Sequence, residues 1–407
     1  MSATHHRNLR DGRSVWQTRP MRALPETVLH RDITVDALVV GAGISGAITA
    51  DLLSEIGLAV AIVDRRGPLK GSTPASTALL QYELDTPLTL LSKRIGQTRA
   101  ERVWRRSKLA LDALRERVQH LNIDADCTGH GSLYLEGDVL NEGGLRAEAE
   151  ARRNAGFETS FLTPSAVKET YGIGRRAGLF GYGNLSADPR RLAAGFLGAA
   201  LARGARIYAP VDVLAVEASR SFVLASTDAG PTIRASSVVF ATGYELPKGV
   251  PRSDHKVAST WVIVTKPQPR RLWPGHSFIW EASSPYLYLR TGPKGSIICG
   301  GEDEEFSDAE TRIAATPAKV SALERKLGHL LPQVKASAIG HWSGAFGISR
   351  TGTPSIGPVP SLPNCYAVLG YGGNGITFSM MAAQLLRTAI GGKHDPDAAL
   401  FSFRRSW

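Results

Sequence analysis

The chain has 407 residues, more than one hydrophobic core normally holds, so two structural units are expected. Its 43% hydrophobic and 21% charged residues fit a soluble globular protein and exclude disorder over most of the length. The formal net charge of +11 comes with arginines scattered in pairs rather than in a dense basic block, which disfavours nucleic-acid binding against a solvated basic surface.

Residues 1–32 carry Arg, Pro, His and Thr without a sustained period and read as an arm, laid over the body or partly disordered. They contain no apolar stretch of the signal-peptide kind. The uncharged run from Ala37 to Ala50 is too short and too glycine-rich to span a membrane, so a soluble cytoplasmic protein is expected. Cys127, Cys299 and Cys365 lie far apart, with neither CxxC spacing nor neighbouring histidines, which argues against a zinc site and for a reducing compartment.

From Ile33 the pattern becomes a buried parallel strand (Ala37 to Val40), then a helix (Ala47, Ile48, Leu52, Leu53, Ile56) closed at Gly57, then a second buried strand from Leu58 to Val63. This is one βαβ unit. Between its first strand and its helix stands Gly41-Ala42-Gly43-Ile44-Ser45-Gly46, a GxGxxG turn. The first glycine permits the turn, the second lets backbone approach a pyrophosphate, and the third lets the helix pack on the strand. The helix N-terminus then faces the phosphates. Asp64 ends the second strand, where it can accept hydrogen bonds from a ribose. Strand, turn, helix and acid in register point to a dinucleotide.

Further on, residues 98–121 read as a long amphipathic helix, Gly131–Leu135 as a strand, 145–155 and 190–203 as helices, and Ala205–Val216 as the start of another strand region. Between Ser259 and Gly300 strands succeed one another without helices, at Thr260–Thr265, Phe278–Glu281, Tyr286–Arg290 and Ser296–Cys299. Such a run predicts an antiparallel sheet, hence a second domain inserted into the first.

Three more segments carry a resemblance: Gly71-Ser72-Thr73-Pro74-Ala75-Ser76, Val238-Val239-Phe240-Ala241-Thr242-Gly243, and Gly370-Tyr371-Gly372-Gly373-Asn374-Gly375-Ile376-Thr377. With the GxGxxG unit they resemble the FAD-dependent oxidoreductases that include glycine oxidase, sarcosine oxidase and D-amino-acid oxidase, from about Val35 to the C-terminal helix. The resemblance implies an α/β protein with a Rossmann-like FAD-binding domain and an inserted antiparallel-sheet substrate domain. Its division would be 1–32 as arm, 33–95, 156–255 and 346–407 as FAD-binding domain, and 96–155 with 256–345 as substrate domain. It implies FAD contacts from Gly41, Ala42, Gly43, Ile44, Ser45, Gly46, Asp64, Arg65, Ser72, Thr73, Ala75, Ser76, Val211, Ala241, Thr242 and Gly243. Gly372, Gly373, Asn374, Gly375, Ile376 and Thr377 would face the flavin, their backbone donors stabilising the charge of its reduced form.

Tyr286, Tyr288 and Arg290 alternate onto one strand face, and in amino-acid-oxidising relatives an Arg at the matching place grips the substrate carboxylate. The family's W-x-G-x-R-x-x-T-x-D-G-x-P-x-I-G motif stands here as Trp342 to Gly357, with Phe346 at its Arg position and Thr351 at its Asp position; Arg350 could supply the missing cation. Trp261, Trp280, His255 and His341 are further pocket candidates. The relatives that attach flavin covalently use a Cys near this segment, and none lies between Cys299 and Cys365, so FAD is expected to be noncovalent. The expected reaction is oxidation of the C–N bond of an amino acid or related amine, with the electron acceptor left open. Oxidation of a 2-hydroxy acid, which needs a base such as His255 or His341, and a non-catalytic flavin-bearing partner subunit are the alternatives.

Overall fold

The computed structural model describes residues 2–251 and 255–405. Two mixed sheets organise them. In the first, strands Cys365–Leu369, Thr232–Phe240, Ile33–Val40, Val60–Val63 and Arg206–Tyr208 lie side by side and run parallel, with Ser355–Pro358 antiparallel at one edge. A hairpin, Val213–Ala218 with Val223–Thr227, extends from Thr232–Phe240. Ala37, Leu38, Val39, Ile62, Val238 and Val239 are wholly buried, which is why these strands read as unbroken apolar runs.

Helix Ile44–Glu55 covers this sheet and packs against helices Pro189–Ala202 and Gly375–Ile390. The strand register decides which loops share an end of the sheet. Val40 pairs with both Phe240 and Val63, so Gly41, Ala241 and Asp64, the next residue on each strand, emerge together at one end.

The second sheet has ten strands and is mainly antiparallel. Its central run is Ala338–Ser349, His255–Thr265, Ile297–Glu304, Tyr288–Thr291 and Phe278–Glu281; the last pairs in parallel with Thr128–Leu135. It recruits strands from segments that the sequence division places elsewhere. Arg10–Gly12 of the arm forms one edge, and Leu79–Leu80, Thr159–Leu162 and Gly178–Ser186 join at the other side. The arm is therefore built into the fold, with Trp16 buried and its Nε1 donating to Ser76 O at 2.8 Å. Helix Ala309–Leu330 closes the outer face, packing Leu323, Leu327 and Leu330 into the cluster that holds Trp261 and Ile263. Among the described residues no helix is long and apolar enough to cross a membrane.

One buried ion pair ties the helices beside the cavity together. Helix Leu88–Ile95 has no cap of its own, and Glu148, from helix Glu142–Asn154, accepts from Leu88 N and Thr89 N, both at 2.8 Å, and from Thr89 Oγ1 at 2.7 Å. Arg152 Nε donates to the same carboxylate at 2.8 Å, and its guanidinium lies over the Trp104 ring. Burial alone would raise the Glu148 pKa, but the Arg152 charge and the Thr89 bonds outweigh it and hold the carboxyl below its ordinary value. Because the folded-state value is depressed, this stability is present above about pH 4.3, the unfolded value, and is lost as pH falls through the folded one. Glu148→Ala, which leaves Arg152 buried and unpaired, should cost about 3 to 5 kcal/mol in denaturant unfolding, and the difference from the parent should shrink in acid.

Candidate functional site: a dinucleotide cavity roofed by the antiparallel sheet

A deep cavity, enclosing about 1730 Å³ with its solvent mouth included, runs from the strand ends of the first sheet to the inner face of the second. Gly41, Gly43, Ile44, Ser45, Asp64, Arg65, Ser72, Thr73, Ala75, Ser76, Val211, Ala241, Thr242 and Gly243 all line it, as do Gly372, Gly373, Asn374, Gly375 and Ile376. The remaining three predicted contacts, Ala42, Gly46 and Thr377, shape the cavity without lining it.

Each glycine of the turn has its own reason. Gly41 adopts φ +112°, and a Cβ there would come within 2.5 Å of Ala241 O. A Cβ on Gly46 would sit 1.8 Å from Gly41 O, so this glycine lets helix meet strand. Gly43 has an ordinary φ of −83° and faces the cavity; its missing side chain leaves room for a ligand rather than relieving strain. The helix N-terminus is anchored by Ile44 N donating to Thr73 Oγ1 at 3.0 Å.

Asp64 accepts from Ala42 N at 2.9 Å and Arg66 N at 2.8 Å, and burial raises its pKa despite these bonds. Around it stands a network that sequence reasoning missed. Arg66 donates to Glu245 at 2.7 Å, Arg7 N donates to Glu245 at 2.8 Å, and Arg65 is held by Glu245 and by Thr4 Oγ1. The arm thus closes the Asp64 end of the cavity. No motif announces Glu245, although it comes two positions after the Ala241-Thr242-Gly243 fingerprint.

The loop after the acidic strand is fixed by its carbonyls. Trp342 Nε1 donates to Ala75 O at 2.9 Å, Trp16 Nε1 to Ser76 O, and Arg290 Nη1 to Thr77 O at 3.3 Å and Ala78 O at 2.8 Å. Arg290 also donates to Ala187 O and Thr291 O and stacks over the Trp16 ring. This corrects the expectation of a carboxylate anchor. Arg290 is buried, lies outside the cavity lining, and spends its donors on backbone; burial lowers its pKa to about 10.

The other substrate candidates separate as well. Tyr286, Tyr288 and Trp280 line the cavity. Trp261 does not: it is wholly buried on the opposite face, its Nε1 donating to Arg312 O and Thr316 Oγ1, both at 3.2 Å. His341 is exposed, and His255 shares a 2.8 Å hydrogen bond with Ser355; neither lines the cavity. Phe346 lines it, whereas Thr351 is buried against Thr353 and Arg350 is exposed.

Two acids complete the roof. Asp85 accepts from Gly373 N at 2.7 Å and from Tyr286 OH at 3.3 Å, joining the last helix's entry turn to the antiparallel sheet. Gly373 therefore already donates to a carboxylate, which corrects the expectation that this N–H is free for a flavin. Asn374 Nδ2 is likewise turned to the carbonyls of Gln81 and Glu83, and Thr377 Oγ1 to that of Gln81. Burial raises the pKa of Asp85. Asp303, on strand Ile297–Glu304, is pushed up to about 7, first by burial and then by Asp85 and Glu302, while the nearby Thr260 hydroxyl and Lys319 pull the other way.

The lining fits FAD. Ser72 Oγ, Gln81 Nε2, Thr242 Oγ1 and Tyr371 OH are buried, face the cavity and have no hydrogen-bond partner, an arrangement that costs stability unless a polar ligand meets it. The Gly43 turn and the helix N-terminus suit the pyrophosphate, and the Asp64 end suits the ribose.

Comparisons with known proteins agree. The family model for FAD dependent oxidoreductases, DAO, matches residues 36–388. A glycine oxidase from Geobacillus kaustophilus is 25% identical over 390 residues, covering 91% of this chain and 97% of its own. A gamma-glutamylputrescine oxidoreductase from Escherichia coli is 23% identical over 381 residues, covering 90% and 86%. The crystal structure of the Geobacillus kaustophilus glycine oxidase superposes with a TM-score of 0.74 at 20% identity, covering 92% of this chain and 99% of that one. L-proline dehydrogenase from P. horikoshii gives 0.75 at 18% identity, covering 94% and 98%. With the cavity, its glycine turn and the family match in agreement, the chain belongs to the FAD-dependent oxidoreductase family, as an enzyme whose cofactor is FAD.

Proposed function

We propose that this enzyme oxidises the C–N bond of an amine or amino acid, with FAD held noncovalently along the cavity from Asp64 to the Gly372–Gly375 turn. In this reading the substrate loses the hydrogen and electron pair of the C–H bond next to nitrogen, the nitrogen gives up a proton, and water hydrolyses the resulting imine. FAD supplies the electron sink; the chain orients the amine and excludes water. Gly43, Thr73 and the amides of the helix N-terminus would hold the pyrophosphate, and Tyr286, Tyr288 and Trp280 would wall the reacting carbon. Free Cys127, Cys299 and Cys365 all lie outside the lining, which supports the noncovalent assignment.

His255 and His341, the histidine bases considered for 2-hydroxy-acid oxidation, lie outside the cavity. What supports the amine reading is that carboxyl groups of Asp85 and Asp303 line it beside Tyr286 and Tyr288, a wall that disfavours the carboxylate of a 2-hydroxy acid. An amine bound neutral already has the lone pair that expels hydride, so its oxidation asks for no added base. Two similar structures, named as a glycine oxidase and an L-amino acid deaminase, point the same way.

Under anaerobic conditions, amines or amino acids should bleach the oxidised-flavin band of the purified protein, whereas lactate and other 2-hydroxy acids should not. Reduction by lactate, with every amine silent, would reverse the assignment. Acid precipitation should leave a colourless pellet and FAD in the supernatant.

A further inference from the structure

The roof end of the cavity is acidic and aromatic. Asp85, Asp303, Thr260, Trp280, Tyr286 and Tyr288 line it. Among the described residues the only basic side chains lining the cavity are Arg65 and Arg66, and both are engaged by Glu245 at the Asp64 end. Lys319, the basic group near Asp303, does not line the cavity and pairs with Glu302 and Glu304.

Polar atoms at this end lack partners. Asp303 Oδ1, Thr260 Oγ1 and Trp280 Nε1 are buried without a hydrogen bond, and all three residues face the cavity. The Tyr286 and Tyr288 ring centroids lie 5.6 Å apart, with Trp280 6.4 Å from Tyr286. A desolvated carboxylate with an open oxygen, beside aromatic faces, is complementary to an ammonium through both charge and the ring quadrupoles. A substrate carboxylate brought there would meet two further carboxyl groups and, among the described residues, no guanidinium or ammonium to match it.

We propose that this pocket takes a cationic alkylamine, held by Asp303 and Asp85 against Tyr286, Tyr288 and Trp280, rather than an α-amino acid gripped through its carboxylate. The assignment rests on the C–N oxidation reading for its role in turnover, but the binding itself is independent of it. Burial pushes both acids upward and the charge of Asp85 adds to the rise at Asp303, and an entering cation favours the ionised form of each. In a di- or polyamine, one nitrogen can carry this charge while another is presented neutral for oxidation.

The test uses the FAD-loaded protein and two ligands that cannot be oxidised as amines. Tetramethylammonium should perturb the visible flavin spectrum saturably, and benzoate should not. Asp303→Asn, checked for intact FAD content, should weaken tetramethylammonium by about tenfold or more, whereas Asp303→Glu, which keeps the charge, should stay within a few-fold of the parent. Among reductants, 1,4-diaminobutane should bleach the flavin faster than glycine. Benzoate binding as tightly as tetramethylammonium, or an unchanged tetramethylammonium affinity in Asp303→Asn, would overturn the assignment. A protein that binds tetramethylammonium through Asp303 yet is reduced by no amine would keep the cation pocket and lose the proposed reaction. One reduced by glycine and binding benzoate would do the opposite.

Discussion

Gly43→Val should fold and purify without flavin. The backbone at Gly43 has φ −83°, which valine adopts readily, and the added Cβ would stand 3.2 Å from Thr73 Oγ1, a contact that a small shift relieves. What valine removes is the space that the pyrophosphate needs beside the helix N-terminus. We expect FAD affinity to fall roughly 100-fold, about 3 kcal/mol, while thermal unfolding of the apoprotein stays close to that of the parent apoprotein. Gly46→Val gives the contrast. Its Cβ would collide with Gly41 O at 1.8 Å, so helix and strand cannot both keep their places, and this variant should lose folded yield as well as flavin. Flavin content and unfolding midpoint, measured on both variants, separate the two roles; full flavin content in Gly43→Val would contradict the placement of the pyrophosphate.

Arg290→Ala should damage stability rather than substrate choice. Its guanidinium supplies the donors for Thr77 O, Ala78 O, Ala187 O and Thr291 O, and each buried carbonyl left without a partner costs about 1 to 3 kcal/mol. Allowing for relaxation and entering water, a loss of about 3 kcal/mol or more is expected, with weaker FAD retention because the loop carrying Ala75 and Ser76 is no longer fixed. Arg290→Lys should recover only part, since an ammonium cannot reach carbonyls on several sides as a planar fork does. Rates of flavin reduction should fall by the same factor for substrates with and without a carboxylate. A selective loss for carboxylate substrates would restore the anchor role.

The nucleotide half of the site was legible because its chemistry is local. A buried strand, a glycine turn and a helix in sequence specify where a pyrophosphate goes, and parallel register then aligns Gly41, Asp64 and Ala241 without further information. The substrate half was not, because it is assembled from residues far apart. Asp85 and Asp303 come from a loop and a strand more than two hundred positions apart and carry no motif between them. Alternation placed Tyr286, Tyr288 and Arg290 on one face, but the strand begins only at Tyr288, and Arg290 lies over the arm's Trp16 instead of over the cavity. Helix Ala309–Leu330 escaped notice because its apolar stripe is confined to its C-terminal half, at Leu323, Leu327 and Leu330, and Pro317 interrupts its interior. The arm read as laid over the body or partly disordered, without a strand of its own, since a three-residue edge strand leaves almost no periodic signal.

The most direct measurement of the central claim is the rate of flavin reduction in a single anaerobic turnover, using the amine that reduces the enzyme fastest and the same amine deuterated at the carbon bearing nitrogen. If a C–H bond next to nitrogen breaks as the flavin accepts its hydrogen and electron pair, deuterium there should slow reduction several-fold, and each reduced flavin should yield one carbonyl product after hydrolysis. Equal rates for the two isotopologues, with no carbonyl product formed, would contradict the account.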